Sequence, residues 1–503
     1  MRGASRGGGG DGSPRGLSRR ALLQGAALGA TALAGTRVAR AVATPAARAY
    51  VPRPNRTEYT LAVAPASIAP DGAQPVPAVL ANGRLPGPEV RVREGDVLRI
   101  LVQNQLPNSP TSIHWHGLLV PAAMDGVPDV SNAPIAAGQT YIYEYPIRQS
   151  GTYWYHSHVD FQEQLGCYGA FVVEPVREAL KTDHDAVVVF GDWMHRSPEE
   201  VFQQLRSGGR SAGPTPMAGG NGGMKMGAGT PGAPMAGVDL SDVKYDAFLL
   251  NGRGADAPWT LAVRPGEFVR LRMINGAAST YFRVRLDGHR LRVTHTDGPA
   301  VRQATVDHLL MGMGEVYDAV VRIAAHGSGS YTLHAVAQDG SGQAIGVLHT
   351  PDVKPQANRS MPSFDGRALS YADLRAPEKT ALPDGPLRSF RLPLSGDMAT
   401  YVWMIDGQAW PKADPLRIRQ GERVQIELVN QSMMWHPMHL HGHFFRILQG
   451  AGDYCPLKHT VNVAPRETVR IEFTSDNPGN WFFHCHNSYH LEAGMAREFI
   501  YEA

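Results

Sequence analysis

Three stretches of this 503-residue chain repeat one pattern of apolar and polar positions. Val92 to Asn104 (VREGDVLRILVQN), Val263 to Asn275 (VRPGEFVRLRMIN) and Ile418 to Asn430 (IRQGERVQIELVN) align without gaps. In each, a glycine-centred turn leads into alternating apolar residues, the period of a strand with one buried face. A turn dipeptide lies upstream of every copy: Asn82-Gly83, Asn251-Gly252 and Asp406-Gly407. Downstream, Gly151 to His156 (GTYWYH), Gly329 to His334 (GSYTLH) and Gly479 to His484 (GNWFFH) also correspond. Short strands, frequent turn signals and few helical stretches predict an all-β protein of three consecutive Greek-key β-sandwiches. The length of 503 residues suits about three domains of ~100–150 residues.

The expected domains are 50–178, 182–352 and 386–503. Residues 353–385, rich in proline, alanine and charge, read as the linker into the third. Within the second, residues 214–237 (PTPMAGGNGGMKMGAGTPGAPMAG) are too rich in glycine and proline to bury a core. They carry Met217, Met224, Met226 and Met235. Exposed methionine has little structural use, whereas a thioether is a soft ligand that selects Cu(I). The segment is expected to handle cuprous ion; a plain flexible insertion is the alternative.

Residues 1–43 fall outside the fold on this reading. Ser18 to Leu23 (SRRALL), with an apolar run to Ala34, reads as a twin-arginine export signal, and Ala41-Val42-Ala43 as its cleavage site. The run is shorter than the ~20 residues of a membrane span, so no stable membrane anchor is expected. Export by the twin-arginine machinery implies a periplasmic protein, expected to act as a monomer. The signal also hides the true charge. Removing its seven arginines and one aspartate turns the formal +2 into −4, and no Lys/Arg run remains to bind nucleic acid.

Cysteine is scarce, and one of the three is special. His484-Cys485-His486, followed by His490 and Met495, has the spacing of a blue-copper centre, in which thiolate and imidazoles hold the metal and a thioether is the weak axial ligand. The histidines flanking Cys485 cannot join it on the same ion, because alternate strand residues face opposite ways. They must reach a second site, which makes the thiolate a short covalent path for electrons. Three more His-x-His pairs occur: His114/His116, His156/His158 and His439/His441. On extended backbone each pair aims both imidazoles to one side and can straddle two metal ions. His436 is left over to complete the site of Cys485 and His490. The remaining cysteines, Cys167 and Cys455, are expected as buried free thiols, with a disulfide between the first and third domains as the alternative.

These motifs resemble the multicopper oxidases, and within them the bacterial copper-resistance oxidases. Ser112 to Gly117 (SIHWHG), Met124 to Pro128 (MDGVP), Gln149 to His158 (QSGTYWYHSH) and Glu492 to Met495 (EAGM) carry the likeness. The resemblance implies cupredoxin-like domains and four copper ions. His436, Cys485, His490 and Met495 would hold type 1 copper, and His114 and His439 type 2. One type 3 ion would take His116, His156 and His486, and the other His158, His441 and His484. Asp125 matches the acid beside type 2 copper in related oxidases, and a turn residue is its alternative reading. Many relatives carry glutamate directly after the type 1 histidine, where this chain has Leu491; Glu492 would point away if the segment were extended.

The middle repeat has lost the pairs. Gly276 to Thr280 follows Asn275, and His334 stands alone, so the second domain is expected to hold no copper and to space the other two. The implied activity is oxidation of Cu(I), in copper resistance, coupled to reduction of O2 to water. A laccase-like oxidase of small phenols shares the ligand set. A copper-sequestering protein would not need the bridge through Cys485, and a copper nitrite reductase would need only two such domains.

Overall fold

The computed structural model describes residues 55–208 and 240–502. The predicted export signal and Met217, Met224, Met226 and Met235 lie outside the described residues. Six sheets stack as three sandwiches. The first pairs two four-stranded sheets, and the second and third each pair a six-stranded with a five-stranded sheet. Among the described residues no helix is long and apolar enough to cross a membrane.

The three repeated stretches occupy the same place in each sandwich. Val97–Asn104, Phe268–Asn275 and Arg423–Asn430 each run parallel to the domain's first strand: Arg56–Ile68, His184–Trp193 and Leu387–Asp397. Parallel neighbours need long crossovers, which carry the chain to the opposite sheet. In the first and third domains the alternation is strict, with Leu98, Ile100 and Val102 facing the core as Val424, Ile426 and Leu428 do. The dipeptides predicted as turns adopt left-handed backbone at both positions, with φ of 51° and 66° at Asn82-Gly83 and 56° and 69° at Asp406-Gly407. That is the conformation a tight hairpin between right-twisted strands requires.

The asparagine closing each repeat acts as a latch. Asn104 Nδ2 donates to Ile135 O at 2.8 Å, and its Oδ1 accepts from the Leu106 amide at 2.9 Å. Asn275 donates to Met311 O at 3.0 Å and accepts from the Ala277 amide, and Asn430 donates to Met434 O at 2.7 Å and accepts from the Ser432 amide. The side chain thus satisfies backbone groups where the chain leaves the sheet. In the first and third domains the loop so anchored leads to His114 and His436.

Two expectations about lone residues hold. Cys167, Cys455 and Cys485 are free thiols, all buried. His334 is a satisfied core residue, with Nδ1 on Gln343 Oε1 at 2.8 Å and Nε2 on Asp287 Oδ2 at 3.1 Å. Met434, beside the ligand loop, packs into the core.

The latch can be tested where no metal ligand depends on it. Asn275→Ala leaves Met311 O and the Ala277 amide without their partner and should cost about 1–3 kcal/mol of stability. A lowered denaturation midpoint with undiminished metal content is the expected result, and an unchanged midpoint would refute the latch.

Candidate metal centre

Strand register builds two clusters on opposite faces of one sheet. Asn480–Cys485 pairs antiparallel with His436–Leu440, setting Met438 opposite Cys485 and His439 opposite His484. Cys485 therefore faces the core of its own domain, while His439 and His484 face across to the first domain. There His114–His116 pairs with Gly151–His156, with His114 opposite His156. Trp115, between the two histidines, fills the first core. The two domains meet ring to ring: His116 stacks on His439 at 3.8 Å between centroids, and His114 lies 3.9 Å from His441.

In the cluster around Cys485, Sγ lies 3.7 Å from His436 Nδ1 and 3.5 Å from His490 Nδ1, and the two nitrogens are 3.2 Å apart. All three side chains are fully buried. Metal–nitrogen bonds of about 2.0 Å and a metal–sulfur bond of about 2.3 Å in a trigonal set would separate such ligands by roughly 3.5–3.7 Å. The far nitrogens are already engaged: His490 Nε2 bonds Asp242 Oδ2 at 2.9 Å and His436 Nε2 bonds Ser432 Oγ at 2.8 Å. A proton on Nε2 leaves the Nδ1 lone pair facing sulfur. Met495 is buried and tied alongside, since its carbonyl accepts from the Cys485 amide at 3.0 Å.

The eight paired histidines form the second cluster, and it uses the other ring nitrogen. Nδ1 of His114 meets Asp125 O at 2.9 Å, His439 meets His459 O at 2.7 Å, His441 meets Asp125 Oδ2 at 3.0 Å, and His484 meets Cys485 O at 3.0 Å. His156 Nδ1 meets Glu163 Oε2 at 2.7 Å. In those five rings Nδ1 is occupied and Nε2 is left for the interior, whereas His116 has neither nitrogen bonded; Nε2 of His114, His116, His156, His158, His439 and His486 has no protein partner despite burial. His441 and His484 bring their Nε2 atoms to 3.0 Å from each other. Burial, then repulsion between rings, holds His116, His158, His439, His441 and His486 well below the ordinary histidine range, and His484 falls to about 3. Neutral, unpartnered imidazoles converging from several strands are a donor set for metal cations.

The geometry separates these donors into overlapping groups. His116, His156 and His486 form one, His158, His441 and His484 another, and His114, His439 and His441 a third. His436, Cys485 and His490 stand apart from them. No such group among the described residues comes from 182–352. Asp125 is fully buried beside two rings of the large cluster, bonding His441 and lying 3.2 Å from His114 Nδ1.

Several residues at the site carried no sequence signal. Asp242, Glu163 and His459 stand outside any recognisable motif, and His459 joins His116 and His439 in a further ligand-type group. The second domain also contributes a wall. Gly314, at φ +80°, sits so close that a Cβ there would come within 2.8 Å of His486 and 3.0 Å of His116 Nε2. Glu492 requires a correction. The segment after Asn487 is a short helix, Ser488–Glu492, not extended chain, so Leu491 and Glu492 line one cleft of about 330 Å³ with His156, His158, Glu163 and His484. Burial, then the Asp160 carboxylate, lifts Glu492 to about 7.

A fold of three β-sandwiches with a Cys-His site wired to a histidine cluster defines a class, and the comparisons agree. The chain belongs to the multicopper oxidase family, whose signatures match residues 62–178, 184–351 and 388–503, and it is an oxidoreductase that binds copper. It is 35% identical to multicopper oxidase MmcO of Mycobacterium tuberculosis, over 97% of this chain and 96% of that protein. It is 30% identical to copper resistance protein A of Escherichia coli, over 83% of this chain and 88% of that one. The laccase of Botrytis aclada superposes with a TM-score of 0.73 at 25% identity, covering 90% of this chain and 89% of its own. Fet3p, a multicopper oxidase described as functioning in iron import, shares the cupredoxin-like fold, with a TM-score of 0.77 at 21% identity over 89% and 91% of the two chains.

Two substitutions test the site. Cys485→Ser should abolish intense blue absorption and oxidase activity while copper remains in the histidine cluster; loss of all copper would mean the clusters are not separable. Asp125→Asn keeps the shape and removes the ionisable group. Reduction of the Cys485 site should survive, while O2 turnover falls by about 10²-fold or more. Unchanged turnover would remove Asp125 from the proton path.

Proposed function

We propose that this chain is a four-copper oxidase that draws electrons from Cu(I) and reduces O2 to two waters, serving copper resistance after twin-arginine export to the periplasm. On this reading His436, Cys485, His490 and Met495 hold type 1 copper, and His114 and His439 type 2. His116, His156 and His486 hold one type 3 ion, and His158, His441 and His484 the other. Bound copper supplies one-electron redox chemistry at the first site and the pooled electrons for O2 at the second. The residues supply position, tautomer and protons. The His484 ring bonds the carbonyl of Cys485 itself, a path of one hydrogen bond between the two sites. Asp125, Glu163 and Glu492 place carboxyl groups where oxygen reduction consumes protons.

Asp242 carries the choice of substrate. Its Oδ2 joins His490 Nε2 at 2.9 Å and accepts from the Tyr401 hydroxyl at 2.7 Å, while its buried Oδ1 has no partner. An unsatisfied carboxylate oxygen on the outer edge of the type 1 ligand favours a cationic reductant. The chain arrives at Asp242 directly from the stretch that carries Met217, Met224, Met226 and Met235. Its other flank is the helix Pro198–Arg206, where Phe202 lies 6.3 Å from the Tyr401 ring. The described residues on the two sides of that stretch thus reach Asp242 and its partner Tyr401. A carboxylate there would also accept the proton of a phenol, which keeps a laccase-like activity as the second reading. A sequestering role has no use for the bridge through Cys485.

Steady-state O2 uptake with Cu(I) and with a bulky phenol, on one preparation, discriminates these readings. Changing Met217, Met224, Met226 and Met235 together to Leu should selectively lower Cu(I) oxidation and leave phenol oxidation steady or higher. Equal losses on both substrates would indicate a structural role, and no loss on either would leave the methionines incidental. Copper binding without O2 uptake would favour storage.

A further inference from the structure

The second domain holds none of the ligand groups found among the described residues, yet one of its loops reaches the backbone on which a histidine ligand hangs. Thr296, Asp297 and Gly298 lie at the junction of all three domains. Gly298 packs against Gly151 of the first domain, where a Cβ on Gly151 would come within 2.5 Å of it. Asp297, in left-handed backbone at φ 49°, is fully buried. Its Oδ2 accepts from two consecutive amides of the third domain, His459 at 3.1 Å and Thr460 at 3.0 Å. Its Oδ1 accepts from the Val316 amide at 3.0 Å and pairs with Lys458 Nζ at 3.0 Å, and that ammonium also meets Glu315 Oε1 at 3.0 Å and Thr296 Oγ1 at 2.7 Å. Lys458, Asp297 and Glu315 are all fully buried, so each charge depends on the others for what water would otherwise supply.

The carbonyl of His459, in this same clamped segment, accepts from His439 Nδ1 at 2.7 Å and from the Leu440 amide at 3.0 Å. That bond fixes the His439 tautomer and aims its Nε2 inward. We infer that Asp297, paired with Lys458, is a positioning residue for the type 2 site, acting from the copper-free domain through the His459–Thr460 backbone on His439. The inference rests on the reading of His439 as a type 2 ligand. Among the described residues the side chains of Thr296, Asp297, Glu315 and Lys458 bond no type 1 ligand, and the clamped Thr460 pairs with His439, so the first effect of disturbing the clamp falls on His439.

Glu315 explains why the clamp can be dissected. Besides Lys458 it accepts from the Gly312 amide at 2.9 Å, Tyr371 Oη at 2.8 Å, Tyr317 Oη at 3.1 Å and Asn462 Nδ2 at 2.5 Å, so it stays hydrogen-bonded without the ammonium. Asp297→Asn is nearly isosteric. Its single amide oxygen can keep the His459 and Thr460 bonds only by turning the NH2 group onto Lys458 and the Val316 amide, donor against donor. The single variant should therefore loosen the segment. The double variant, with Lys458→Met as well, removes the clash with the ammonium but not the one with the Val316 amide, and should restore the segment in part.

The experiment is electron paramagnetic resonance of the type 2 copper, with copper retention under chelator challenge, on the fully loaded protein. The blue absorption and the melting temperature are read alongside. Asp297→Asn should alter the type 2 spectrum and weaken retention of that copper by about 10- to 100-fold, the usual effect of losing an outer-shell partner, with type 1 absorption unchanged. The double variant should recover part of the loss. A normal type 2 signal in Asp297→Asn would overturn the inference, as would parallel loss of both copper types with the melting temperature. A wild-type protein without any type 2 signal would instead overturn the four-copper reading on which it rests.

Discussion

The strand ending at Cys485 has two faces, and the alternation of side chains between them fixes where both metal sites can be. Cys485 enters the core of its own sandwich, and the histidines on either side leave it for the first domain. The neighbouring strand repeats the alternation in register, with Met438 beside Cys485 and His439 beside His484. A slip of one residue would send the thiol across the interface and the imidazoles into hydrocarbon. The covalent path between the two clusters thus follows from the period of a β-strand, because two adjacent residues cannot share a face. The separation is enforced and the connection is covalent.

Which nitrogen of each ring is free is settled by hydrogen bonds outside the clusters. Around Cys485 the outer partners Ser432 and Asp242 take Nε2, leaving Nδ1; in five rings of the large cluster backbone carbonyls, Asp125 and Glu163 take Nδ1, leaving Nε2, and His116 is the exception with both nitrogens free. The difference has a steric logic. Nε2 is the more distant nitrogen from the backbone and suits a cluster reached across a domain interface. Nδ1 suits a compact site in which cysteine and histidines come from one domain. Burial keeps the rings neutral, so no proton competes for the free lone pair. Seven buried ring nitrogens of the paired histidines have no protein partner, which would be a defect in an ordinary core. Here they form a converging donor set between the first and third domains.

Much of this was legible in the sequence because it depends on local period. The repeats revealed three sandwiches through their alternation and turn dipeptides, and the His-x-His pairs revealed paired donors through the same period of two. What stayed hidden depends on long-range encounters. Asp242 reaches His490 across 248 positions, and Asp297 reaches Thr460 across 163. Neither distance leaves a trace in spacing. Glu492 was misread for a local reason. Asn487 caps a short helix by accepting from the Tyr489 and His490 amides, so a period of 3.6 replaces the strand's period of two just past His486. The cap could have been noticed, since asparagine is a favoured helix start.

The second domain illustrates how a repeat that has lost its ligands remains part of the chemistry. Its latch asparagine and parallel strand are intact, so it folds as the others do. What it offers the metal sites comes from other loops. Gly314 closes against His116 and His486 where no side chain would fit, Asp242 touches the edge of His490, and Asp297 grips the backbone behind His439. These contacts reach separate parts of both sites. A spacer would only need to hold two domains at a distance, and a smooth apolar surface would do that. Buried charges at the junction with the third domain are instead costly unless their geometry is exact to a few tenths of an ångström. Such groups specify one relative placement of the domains. The histidine cluster needs that placement, because its donors come from both sides of an interface and must converge on the same ions.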